Sequence, residues 1–121
     1  MRLICIALVA AALLAGCASP PEPGSAASKV VTMGQLDDFD IGPMRVARER
    51  GFLTVKVAIN NTSRNNQTLY YRFAWLGEDG FPVGDEESWK TLTLYGKQAS
   101  FLPAIAPLPQ ARDFRLEVHT R

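Results

Sequence analysis

Cysteine, histidine and net charge are all scarce in this 121-residue chain, and each scarcity removes a class of explanation. The two cysteines are Cys5 and Cys17, and none follows. A disulfide framework is therefore excluded for everything beyond Cys17. His119 is the single histidine, two residues from the C-terminus. Ser88 and Ser100 lack a G-x-S-x-G setting, so no pairing of nucleophile and base is written in the sequence. Lysine and arginine number 13 against 12 aspartates and glutamates, a formal charge of +1. That balance gives no general electrostatic footprint for nucleic acid or polyanionic glycolipid. The apolar run from Leu3 to Leu14 falls short of the about 20 residues a spanning helix needs. No repeat at a solenoid period is present.

What is there begins with the leader. Arg2, the apolar Leu3 to Leu14 and the small-residue site Leu14-Ala15-Gly16 match a secretory signal better than a membrane span. Leu14-Ala15-Gly16-Cys17 resembles a bacterial lipoprotein signal that ends at its lipid-acceptor cysteine. The resemblance implies cleavage before Cys17, a thioether from its sulfur to diacylglycerol, and acylation of its amine. Each buried methylene contributes about 0.8 kcal/mol, so two or three chains hold a protein at a membrane without any spanning helix. Ala18 follows the acceptor where proteobacterial inner-membrane lipoproteins carry Asp, which implies the outer membrane with the domain facing the periplasm. Residues 1–16 are thus expected to be a signal peptide, 17–28 a lipidated N-terminus and flexible tether, and 29–121 a single domain. The tether holds three prolines, a glycine and three serines, and an extended Pro-rich chain of that length reaches about 30 Å.

Alternation dominates the rest. Leu53, Val55, Val57 and Ile59 share one face of a strand, with Thr54, Lys56 and Asn60 on the other. Leu69, Tyr71, Phe73 and Trp75 repeat the pattern, as do Leu92 and Leu94, and finally Phe114, Leu116 and Val118. Shorter strands are expected at Val30 to Met33, at Phe39 to Val46 with an interruption at Gly42-Pro43, and at Phe81 to Val83 returning from an Asp79-Gly80 turn. Ala99 to Ile105 should lie at an edge or end early, because Pro103 cannot donate to a ladder. No helix of three turns finds room. Six to eight short strands with aromatic centres predict an all-β antiparallel sandwich, immunoglobulin-like in size, with a small closed barrel as the competing architecture.

The segments Asn60-Asn61-Thr62-Ser63, Gln67 to Trp75, Asp79-Gly80, Trp89, Leu92-Thr93-Leu94 and Ala106 to Leu116 resemble the YcfL family of small proteobacterial lipoproteins. Tyr70-Tyr71-Arg72-Phe73-x-Trp75 and Ala106-Pro107-x-Pro109-x-Ala111-x-Asp113-Phe114-Arg115 carry most of the likeness. The resemblance implies a lipobox, a β-sandwich and a domain whose molecular role is not established. Some members are encoded beside a lipoprotein activator of a peptidoglycan synthase, which implies work in the cell envelope.

Few residues offer chemistry. His119 falls on the outer face of the last strand, the reading of a surface histidine. Asp37, Asp38, Asp40, Asp85, Glu86 and Glu87 lack EF-hand spacing and read as solvated loop charge. Asn60, Asn61 and Asn66 match the glycosylation pattern, yet turn chemistry accounts for them. Tyr70, Arg72, Trp89 and Tyr95 project from the outer face and are the candidate partner surface, being residue types enriched at binding hot spots. The expectation is a non-enzymatic module with no metal and no cofactor, attached to the membrane through Cys17 and contacting an envelope protein. The alternatives are a structural subunit of an envelope or secretion complex, and a small-ligand or calcium-binding domain.

Overall fold

The computed structural model describes residues 27–120. The expected signal peptide, Cys17 and most of the tether lie outside the described residues. A single 3-10 turn, Ala27–Lys29, leads into seven strands: β1 (Val30–Thr32), β2 (Phe39–Glu49), β3 (Phe52–Asn61), β4 (Gln67–Leu76), β5 (Lys90–Leu94), β6 (Ala99–Ile105) and β7 (Asp113–His119). They form a four-stranded sheet in the order β1-β7-β4-β5 and a three-stranded sheet in the order β2-β3-β6. The chain crosses between sheets after β1, β3, β5 and β6. Setting β2-β3-β6 against β7-β4-β5 reproduces the A-B-E and F-C-C′ arrangement of an immunoglobulin-type Greek key. β1 takes the remaining edge, beside β7. Among the described residues no helix is long and apolar enough to cross a membrane.

The core is what alternation dictates. Leu53, Val55, Val57 and Ile59 of β3 face Leu69, Phe73 and Trp75 of β4 and Phe114, Leu116 and Val118 of β7, all of them buried. Phe73 stacks on Trp75 with centroids 5.3 Å apart and meets Phe114 at 6.0 Å. Leu102 of β6 and Leu94 of β5 close the layer from the flanking strands. β6 is an edge strand, and Pro103 takes its place opposite Lys56 in the ladder to β3.

The expected all-β sandwich forms and is mainly antiparallel, and three details of it differ. β1 pairs with β7 in parallel, Val30 with Leu116 through Thr32 with Val118, so the sandwich is not antiparallel throughout; three residues of pattern carry no information on strand direction. β2 is not interrupted at Gly42-Pro43. It runs to Glu49 with a register shift between Ile41 and Met44, a bulge that absorbs Pro43 in an edge strand. It then turns through Arg50 and Gly51, whose φ values of 51° and 86° suit the two-residue hairpin loop that needs both positive. Finally, Phe81 to Val83 forms no strand. One bridge joins Leu76 and Pro82, and Phe81 is 69% exposed, because Pro82 offers no N–H to extend a ladder.

Candidate functional site

The outer face of the four-stranded sheet gathers three of the four singled-out side chains. In β4, Tyr70 and Arg72 alternate with the inward Leu69 and Phe73. Register sets Tyr70 opposite His119 and Arg72 opposite Glu117 of β7, while Tyr70 faces Thr91 on the β5 side. The Tyr70 and His119 rings stack at 4.9 Å with planes 7° apart. Trp89, just ahead of β5, meets His119 edge to face at 4.6 Å. The Arg72 guanidinium lies 4.3 Å from the centre of the Trp89 ring, a cation–π contact. Tyr70, His119, Trp89 and Arg72 therefore form one continuous platform.

Arg72 is also held by carboxylates. Its Nε donates to Glu117 Oε2 at 3.1 Å, and its Nη1 donates to Glu86. Burial alone would lower the pKa of Arg72, but Glu117 and Glu86 outweigh it and raise the value above the usual one. The guanidinium is a fixed cation. Glu86 is itself 74% exposed at the side chain, so its grip on Arg72 is that of a surface ion pair.

Glu87 is not the solvated loop charge that composition suggests. Its carboxylate accepts from the Phe73 backbone N–H and from Trp75 Nε1, both at 3.0 Å. β5 covers β4 only from Gln67 to Tyr71, which leaves the last half of the β4 edge to the loop that follows β4. Glu87 and the Val83 N–H, which donates to the Trp75 carbonyl at 2.9 Å, satisfy that half-edge in place of a strand. The same loop encloses a cavity of about 170 Å³ against Arg72, Ala74 and Glu117.

Tyr95 does not join the platform. It is 69% exposed, beyond the end of β5, and the five residues of that strand separate it from Trp89 by about 20 Å. Its carbonyl instead accepts from Asn61 Nδ2 at 2.9 Å. Asn61 is fully buried, which removes it as a glycan acceptor in the folded chain. His119 is the member that residue-by-residue reading missed. Alternation places it outward, and only the pairing of β4 with β7 brings it onto Tyr70. Ser100 lies on β6 of the other sheet. Asp38 serves through its backbone, its carbonyl accepting from the Thr62 N–H at 2.9 Å. Among the described residues no three of the Asp, Glu and His side chains gather at metal-holding distance.

A family model described as "Protein of unknown function (DUF1425)" matches residues 35–120. Among solved structures, the chain is similar to Campylobacter jejuni cj0090, with 25% identity and a TM-score of 0.67 over 77% of this chain and 98% of that one. It is also similar to a DUF1425 family member from Shewanella sp. pv-4, with 34% identity and a TM-score of 0.63 over 69% of this chain and 78% of that one. No curated protein matches the chain.

Proposed function

This chain belongs to the DUF1425 family of proteins of unknown function, and on that premise we propose that it is a non-enzymatic binding module of the cell envelope. Cys17, lipidated, holds it at the outer membrane with the domain in the periplasm, in keeping with its resemblance to YcfL-type lipoproteins. The outer face of β5-β4-β7 engages an envelope protein. The observation that carries this reading is the platform of Tyr70, His119, Trp89 and Arg72. Aromatic rings braced by an arginine are the side chains that dominate contact energies in protein interfaces. They lie on an open sheet face, not in a cleft with a nucleophile and a base. The calcium alternative is less favoured, since two of its six carboxylates, Glu86 and Glu87, are engaged by Arg72, the Phe73 N–H and the Trp75 indole.

In-cell crosslinking of the full-length protein tests the proposal, with Cys17→Ala and Trp89→Ala as comparisons. The expected result is a discrete envelope-protein adduct from the native chain, and its loss in both variants. Removing a hot-spot side chain costs about 2 kcal/mol or more, roughly thirtyfold in affinity. An adduct of equal yield from Trp89→Ala would rule out this face, and no adduct from the native chain would rule out the module.

A further inference from the structure

We propose that the outer face of the three-stranded sheet, on the opposite side of the sandwich from the platform, binds a phosphomonoester that carries an apolar group. Arg45 and Lys56 take the phosphate, and Phe101 and Pro43 take the apolar part. The inference rests on a pairing that stability alone disfavours. Arg45 of β2 and Lys56 of β3 are register partners, and like charges placed directly opposite on a sheet repel. Both side chains are exposed. Among the described residues neither forms an ion pair.

Glu49 lines a neighbouring cavity with both cations, but among the described residues no carboxylate comes within ion-pair distance of either. Along the same face, Pro43 and Ala47 flank Arg45, Thr54 and Ala58 flank Lys56, and Pro103 lies across from Lys56 on β6. Glu49 is four residues along β2 from Arg45, about 13 Å at the rise of a strand. Asp40 lies on the far side of the bulge.

The two cations border a cavity of about 280 Å³ lined by Pro43, Arg45, Lys56, Ala58 and Phe101. Ala58 gives it a low floor. Phe101, 58% exposed, gives it an aromatic wall, with Lys56 Nζ 5.0 Å from the ring centre. Two positive charges beside one cavity match a group of charge near −2 better than a single carboxylate, and a phosphomonoester carries about −1.5 to −2 at neutral pH. A guanidinium spans two phosphate oxygens, and an ammonium adds a point charge. Phe101 and Pro43 supply the preference for an aryl or alkyl substituent.

Phenyl phosphate, titrated calorimetrically into the full-length protein in neutral detergent, is the probe. The native chain should bind it saturably, at least about tenfold more tightly than inorganic phosphate or phenol. Arg45→Glu turns a repulsive pair into an attractive one. It should weaken phenyl phosphate by at least about tenfold while leaving the melting temperature unchanged or raised. Lys56→Gln should also weaken binding, which separates loss of the site from misfolding. No saturation by roughly 10 mM, or equal binding by Arg45→Glu, overturns the proposal; inorganic phosphate binding as tightly as phenyl phosphate overturns the apolar half. Sedimentation of the Cys17→Ala protein with vesicles containing phosphatidate, and its loss in Cys17→Ala/Arg45→Glu, assigns the phosphate to a lipid headgroup. Sedimentation absent, with phenyl phosphate binding intact, assigns it to a free phosphomonoester.

Discussion

Asn61 shows how much one side chain can do here. Its Nδ2 donates to the carbonyls of Asn65 at 2.8 Å, Leu94 at 3.2 Å and Tyr95 at 2.9 Å. Its Oδ1 accepts from the Ser63 N–H and hydroxyl, both at 2.9 Å. One amide thus pins the β3–β4 turn to the end of β5, across the two sheets. Asn61→Ala removes the buried bond to the Leu94 carbonyl, while the Tyr95 and Asn65 carbonyls keep the Gln98 N–H and the Ser63 hydroxyl, and should cost about 1–3 kcal/mol in urea unfolding; a loss below about 0.5 kcal/mol would mean that water or rearranged backbone replaces the amide. The turn itself is legible from the run of Asn and Ser, whose side chains bond local backbone. The burial of Asn61 is not, because two of its acceptors lie 33 and 34 residues away. The same limit hid His119, whose role depends on a register partner in another strand.

At the scale of elements, the strands that alternation made plain, β3, β4 and β7, are those with one face in the core. β2 was legible only in part, since its last five residues are exposed on both faces. The short loops carry their own constraint. A Cβ on Gly96, in the β5–β6 turn, would stand 2.1 Å from the Arg64 carbonyl oxygen, so two turns pack backbone to backbone. The weakest seam is β1 on β7. It is fastened by Lys29, whose Nζ donates to Asp113 Oδ1 at 2.6 Å. Burial alone would raise the Asp113 pKa, but Lys29, the Phe114 N–H and Arg115 outweigh it and lower the value below the ordinary 3.8. A carboxylate with a lowered folded-state pKa stabilises above its unfolded value, and that contribution disappears as pH falls through the folded one. The melting temperature of native protein should therefore exceed that of Asp113→Asn at neutral pH, and the gap should close as pH drops below 3.8. A gap unchanged by acid would show that the clamp is not electrostatic.

For the whole molecule, a sandwich built on its core alone, with no cysteine after Cys17, should fold independently of the proposed lipid. Cys17→Ala should move the protein from the detergent phase to the aqueous phase in a partition assay, with the unfolding midpoint unchanged; detergent partition equal to native would remove the anchor. The proposed anchor would give β1 a mechanical setting. It runs in the same direction as β7, and the leader leaves from its N-terminal end. A pull along the leader, with the domain gripped by its outer face, drags β1 lengthwise and loads its few ladder bonds together, not one after another. Once they yield, residues 27–35 pay out at about 3.3–3.6 Å each, adding about 30 Å of reach, and the six-stranded Greek key stays closed. In a domain tethered and gripped as proposed, the first strand would be a fuse, lengthening the link under load before the domain itself is strained.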